Sequence, residues 1–76
     1  MKPPTPLVDG MLSAYVDWRG ACRTLDAAYE AWGSGTGAHA ALAFSRYSAA
    51  LDQEESAAAL YAELTRQVRR LSPAAA

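Results

Sequence analysis

The sequence predicts an all-α protein: an antiparallel two-helix hairpin that dimerises into a four-helix bundle. Three observations carry this prediction. Alanine, the strongest helix former, supplies about a quarter of the chain, while isoleucine is absent, a balance that favours helix over sheet. Large apolar residues recur at alternating spacings of four and three along two separate runs, the signature of amphipathic, coiled-coil-like helices. Between the runs, Trp32-Gly33-Ser34-Gly35-Thr36-Gly37 sets three glycines close together, and each disfavours helix by roughly 1 kcal/mol relative to alanine.

The first helix is expected from about Pro6 to Trp32. Residues 1–5 read as a disordered, proline-rich N-terminus, with Thr5 as N-cap and Pro6 at the first helical position. Asp9 then falls in the first turn, where the helix dipole favours an anion. The expected seam is Met11, Tyr15, Trp18, Cys22, Leu25, Tyr29 and Trp32. Gly10 and Gly20 interrupt this helix, either as tolerated weak points or as marks of close approach by another helix. Gly33 is the expected closing residue, in the left-handed conformation common at helix ends.

The second helix is expected from Gly37 to Leu71, capped by Thr36 after a turn at 33–36. Its seam reads Ala40, Phe44, Tyr47, Leu51, Glu54, Ala58 and Tyr61, continuing through Leu64, Val68 and Leu71. Ser72-Pro73 stops the helix, and residues 72–76 read as a flexible tail. Folding at the glycines pairs Tyr29 with Ala40, Leu25 with Phe44 and Cys22 with Tyr47. It also pairs Trp18 with Leu51, Tyr15 with Glu54, Met11 with Ala58, and Val8 with Tyr61. The heptad period implies a left-handed, nearly antiparallel crossing.

A chain of 76 residues makes one small core, worth about 3–5 kcal/mol at this size, so it needs a staple. Cys22 is the only cysteine and His39 the only histidine, which removes an internal disulfide and leaves little for a metal or any other cofactor. Self-association remains. Leu12, Val16, Leu42 and Leu60 lie beside the seams, and helix two outruns helix one. An interface for a second copy, or for a related helical protein, is therefore expected at Leu60, Leu64, Val68 and Leu71, with Arg66, Arg69 and Arg70 beside it. The arginines also complement the helix C-terminus, with Glu63 and Arg66 as an i,i+3 pair.

No residue combination suggests catalysis. Glu54 is the one charge within a seam. It either reaches water or accepts a hydrogen bond from Tyr15 or Tyr61 and so sets the register. Cys22 reads as an inert buried thiol. No Glu-x-x-His motif and no phosphate-binding loop is present. Net charge is −1, a poor footprint for nucleic acid. No apolar run is long enough to span a membrane, and Met1–Pro6 lacks the apolar core of a secretory signal, so the cytoplasm is the expected compartment.

The bend Ala31-Trp32-Gly33-Ser34-Gly35 between two helical arms resembles the WXG100 (Esx-like) family of small helical hairpins. Trp32 matches the family tryptophan; Ser34 stands where its glycine belongs, flanked by Gly33 and Gly35. The resemblance implies a dimeric four-helix bundle and export by a type VII system without a cleavable signal. The family's trailing Tyr-x-x-x-Asp/Glu signal is missing, since Thr65 follows Tyr61 and Leu51 follows Tyr47 at that spacing. The leading expectation is thus a non-enzymatic assembly module, with a secreted WXG100-like hairpin as the alternative. The alternative predicts the protein in culture medium in a manner dependent on type VII secretion; its absence there would exclude export.

Overall fold

The computed structural model describes residues 2–72; Met1 and residues 73–76, which hold most of the expected tail, lie outside it. Two helices, α1 (Thr5–Gly33) and α2 (Gly37–Leu71), pack side by side as a hairpin. The molecule is a rod with principal extents of 58 × 17 × 14 Å and a radius of gyration of 17.1 Å, where a compact chain of this length has about 11 Å.

The helix ends differ from expectation in detail. Helix α1 begins at Thr5, so Pro4 takes the cap position, and its carbonyl accepts from the Leu7 and Val8 amides at 3.0 and 3.2 Å. Asp9 consequently falls just beyond the first turn. Gly33 is not left-handed; it is the last residue of α1, and Ser34 closes the helix. The Ser34 hydroxyl donates to the carbonyls of Glu30 and Ala31 at 3.1 and 3.3 Å, satisfying acceptors that a helix end leaves open. Thr36 stands at the cap of α2, as expected, but its side chain makes no capping bond there.

The left-handed residue of the bend is Gly37, at φ 60°, a conformation that costs other L-residues roughly 1–2 kcal/mol. Gly35 serves differently. A Cβ built on it would lie 3.3 Å from the Ala40 Cα and 3.4 Å from the Ala31 carbonyl oxygen, so the chain crosses tightly over the first turn of α2. Gly10 and Gly20 mark no close approach: added Cβ atoms there would meet nothing within 4 Å and only the Arg23 side chain, respectively.

Because the bend crosses α2 at Ala40, the first turn of α2 projects past the end of α1. This displaces the pairing by about one heptad. Tyr29 meets Tyr47 rather than Ala40, and Tyr15 meets Tyr61 rather than Glu54. Trp18 reaches Glu54 and Tyr61, both beyond its expected partner Leu51. Tyr47, expected against Cys22, lies on Tyr29 and Trp32 instead.

The seam is also rotated. Helix α1 turns inward Leu7, Met11, Ala14, Trp18, Ala21, Leu25, Ala28 and Trp32, all buried or half-buried. Helix α2 turns inward Ala40, Ala43, Tyr47, Ala50, Glu54, Ala57, Tyr61, Leu64 and Val68, likewise buried or half-buried. The alternation of four and three is as expected, but alanines every seventh residue take inward places beside Tyr15, Cys22 and Tyr29 in one seam, and beside Phe44, Leu51 and Ala58 in the other; of these only Cys22 and Ala58 stay half-buried. Across the helices large rings meet large rings, Trp18 on Tyr61 and Trp32 on Tyr47, while the alanines of the two seams let the axes approach.

The consequence is a thin core. Among the described residues only Ala14 (4% exposed) and Ala50 (6%) are buried. Enlarging either should strain the close contact by about 1–3 kcal/mol. Ala50→Leu is therefore expected to lower the melting temperature measured by circular dichroism, whereas Leu42→Ala, at an exposed site, should change stability by less than about 0.5 kcal/mol. Equal melting temperatures for Ala50→Leu and the parent would show that the helices do not pack through their alanines.

Candidate functional site: the aromatic flank

Rotation of the seam leaves Tyr15, Tyr29 and Phe44 exposed on one flank, against the half-buried seam rings Trp18, Trp32, Tyr47 and Tyr61. The seven rings fall into two clusters. In the first, Trp18 stacks on Tyr61 at 5.7 Å between centroids and 11° between planes. Tyr15 lies edge-on to Trp18 at 6.1 Å and tilted against Tyr61 at 5.4 Å. In the second, Trp32 stacks on Tyr47 at 5.1 Å and 18°, with Tyr29 at 6.2 Å from Trp32 and 5.6 Å from Tyr47. Such pairs contribute about 0.5–1.5 kcal/mol each beyond simple area burial.

The clusters are copies at the level of sequence. Tyr15-x-x-Trp18 recurs as Tyr29-x-x-Trp32 two heptads later, and Tyr47 and Tyr61 are also two heptads apart. Antiparallel helices bring the earlier pair of α1 to the later tyrosine of α2, and the reverse. Two positions distinguish the copies. Phe44 adds a seventh ring, 5.1 Å from Trp32, where Ala58 occupies the corresponding place beside Tyr61. Ala40 in the second cluster corresponds to Glu54 in the first.

Glu54 is half-buried, and its Oε2 accepts a 2.8 Å hydrogen bond from Trp18 Nε1–H. Of the two readings for this carboxylate the hydrogen-bonded one describes the structure, but the donor is Trp18 rather than Tyr15 or Tyr61. Tyr15 is instead an exposed flank residue that touches Glu54's neighbours Trp18 and Tyr61. Arg19 lies over the outer side of the Trp18 ring, 6.0 Å from its centroid, within cation–π range.

The residues of the interface expected at the end of α2 differ in exposure. The displaced pairing brings the first turns of α1 opposite that end, so Leu64 and Val68 are half-buried within the hairpin, while Leu60 and Leu71 stay exposed. Arg66, Arg69 and Arg70 are exposed. Arg66 is engaged, donating to Glu63 from Nη2 at 2.6 Å and Nε at 3.2 Å. The Arg66 guanidinium, and then the Gln67 amide, hold the Glu63 carboxyl below its usual range. The pair is intact at neutral pH and is lost as pH falls through that lowered value; solvent screens it. Arg69 and Arg70 complete the last turn of α2, where they complement the dipole.

Of the bend residues, Trp32 joins the second cluster and Gly35 packs on α2, whereas Gly33 is exposed and touches nothing that an added Cβ would meet. The flank opposite the rings is a shallow groove of about 480 Å³, lined by Thr24, Ala27 and Ala31 of α1 and by His39, Leu42 and Arg46 of α2. Cys22 is half-buried. Among the described residues no three His, Cys, Asp or Glu side chains are grouped to hold a metal ion, and no helix is long and apolar enough to cross a membrane.

No protein-family model matches the chain, and neither the curated proteins nor the solved structures searched show a significant match.

The Trp18–Glu54 bond links the helices through a charged acceptor, a class of bond worth about 1.5–3 kcal/mol when sheltered. In a double-mutant cycle of Trp18→Phe and Glu54→Leu, a coupling energy near 1 kcal/mol is expected from urea denaturation, at the low end because the pair is half-exposed. Strict additivity of the two substitutions would remove the bond from any part in stability.

Proposed function

We propose that this chain is a non-enzymatic helical assembly module that works by dimerising, two hairpins forming a four-helix bundle. One observation carries the reading: the hairpin by itself leaves its apolar residues uncovered. Tyr29 is 57% exposed, Phe44 50% and Val16 63%. The total accessible surface is 5544 Å², whereas a folded monomer of 8.1 kDa typically presents about 4,500 Å². The surplus of roughly 1,000 Å² resembles what one partner buries in a stable protein interface, about 800 Å².

A second copy is the simplest source of that cover. The rod is narrow, 17 × 14 Å across its long axis, and four-helix bundles are built by pairing such hairpins face to face. The residues uncovered are aromatic and aliphatic, the types that supply most interface energy. A module of this kind does its work through surface and geometry, with no requirement for a cofactor.

Dimerisation couples folding to concentration. Diluting the protein from about 100 to 1 μM should lower its melting temperature by roughly 5–10 °C. A midpoint that stays constant over that range, with a monomeric mass by sedimentation equilibrium, would refute the proposal.

A further inference from the structure

We propose that the groove between the helices at the bend end of the rod binds a single-chain alkyl carboxylate, with the carboxylate on Arg46 and the chain lying over Ala43 and Ala28 towards Gly35. This goes beyond the dimeric reading above and does not rest on it.

The groove supplies the apolar half of such a site. Ala28, Ala43 and Ala50 form its floor, where the seam alanines bring the helices close, and Ala27, Ala31 and Leu42 stand exposed on its walls. Its volume of about 480 Å³ lies within the range of small-molecule sites. The lining runs along α2 from His39 to Ala50, about 16 Å at the helical rise. No Phe, Tyr or Trp lines it, so it offers methyl contact over a length rather than a ring to stack on. That suits an alkyl chain. The tight crossing of Gly35 over Ala40 ends the groove at the bend. Further from the bend the same flank carries Asp17, Arg23 and Gln53, and the apolar stretch stops.

Charge supplies the other half. Thr24, His39 and Arg46 are the polar residues of the lining, and no carboxylate is among them. The Thr24 hydroxyl is already committed, donating to the Gly20 carbonyl at 3.1 Å. Arg46 has apolar neighbours on its own helix: the positions three and four residues away hold Leu42, Ala43, Ala49 and Ala50. The ion pair found among the described residues lies towards the other end of the rod, between Glu63 and Arg66. Arg46 thus presents a full charge beside apolar surface, unpaired among the described residues. His39, two turns earlier on the same wall, adds a ring N–H donor. An anion is the complement of that lining, and a guanidinium takes a carboxylate through two parallel hydrogen bonds. A neutral amphiphile leaves the arginine unmatched, and a cationic one is repelled.

The experiment titrates the natural chain with octanoate and follows backbone amide shifts by NMR. Octanol, which lacks the charge, and butyrate, which lacks half the chain, are the comparison probes. Octanoate should bind about tenfold more tightly than either. Arg46→Gln, at an exposed position, should weaken octanoate about tenfold and leave octanol unchanged. Arg69→Gln, an exposed arginine in the last turn of α2, should alter neither. Circular dichroism checks that both variants fold. The shifted amides should centre on Ala31, Leu42 and Ala43. The site is overturned by octanoate that fails to bind at millimolar concentration, that binds no better than octanol, that loses affinity equally in both variants, or that shifts the amides around Tyr15 and Tyr29 instead. Sedimentation equilibrium on the same samples reads dimerisation separately, so a failure of this site and a failure of the dimeric reading are told apart.

Discussion

Trp18 on Tyr61 and Trp32 on Tyr47 are the contacts on which the architecture depends. A two-helix rod has one line of contact, and a heptad pattern allows that line to slide by whole heptads without exposing a polar stripe. The stacked pairs remove that freedom. Both tryptophans find a tyrosine together at only one setting of the helices, and the seam alanines let the axes come close enough for the rings to overlap. The tight crossing of Gly35 over Ala40 ends the rod in the same setting.

The rest of the surface follows from this arrangement. Spending the inward positions on alanine gives a close seam and little core, because an alanine buries only one methyl group. The apolar bulk of the chain is pushed to the flanks, where Tyr15, Tyr29, Phe44 and Leu51 stay in contact with water. An isolated domain gains nothing from this distribution. A component of a larger bundle does, since the flank then becomes the interior, and the seam that looks thin in the hairpin becomes one of several.

Glu54 fits the same logic. A carboxylate in an apolar seam is costly unless paired, and here the Trp18 indole supplies its partner. The bond is specific to one cluster, because Ala40 holds the corresponding place in the other. It therefore marks one of two otherwise similar clusters and opposes a two-heptad slip that would set Trp32 on Tyr61. The basic end of α2 has a more local part, with Arg66 held by Glu63 and Arg69 and Arg70 in the last turn.

Much of this was legible in the residues themselves. Alanine content and heptad spacing determine two helices, and the glycines of 33–37 determine where they separate, because helix propensity and glycine's backbone freedom are local properties. The spacing also marks Glu54 as the one charged seam position. Which stripe faces inward is not local. The stripe of large residues and the stripe of alanines run side by side with the same period, and each satisfies the pattern of amphipathicity. Only tertiary packing chose the alanines, since helix axes approach closely where side chains are small and the stacked rings then close over them. The position of the bend over Ala40 in turn decided the one-heptad displacement, and with it the burial of Leu64 and Val68 that a symmetric fold at the glycines would have left uncovered.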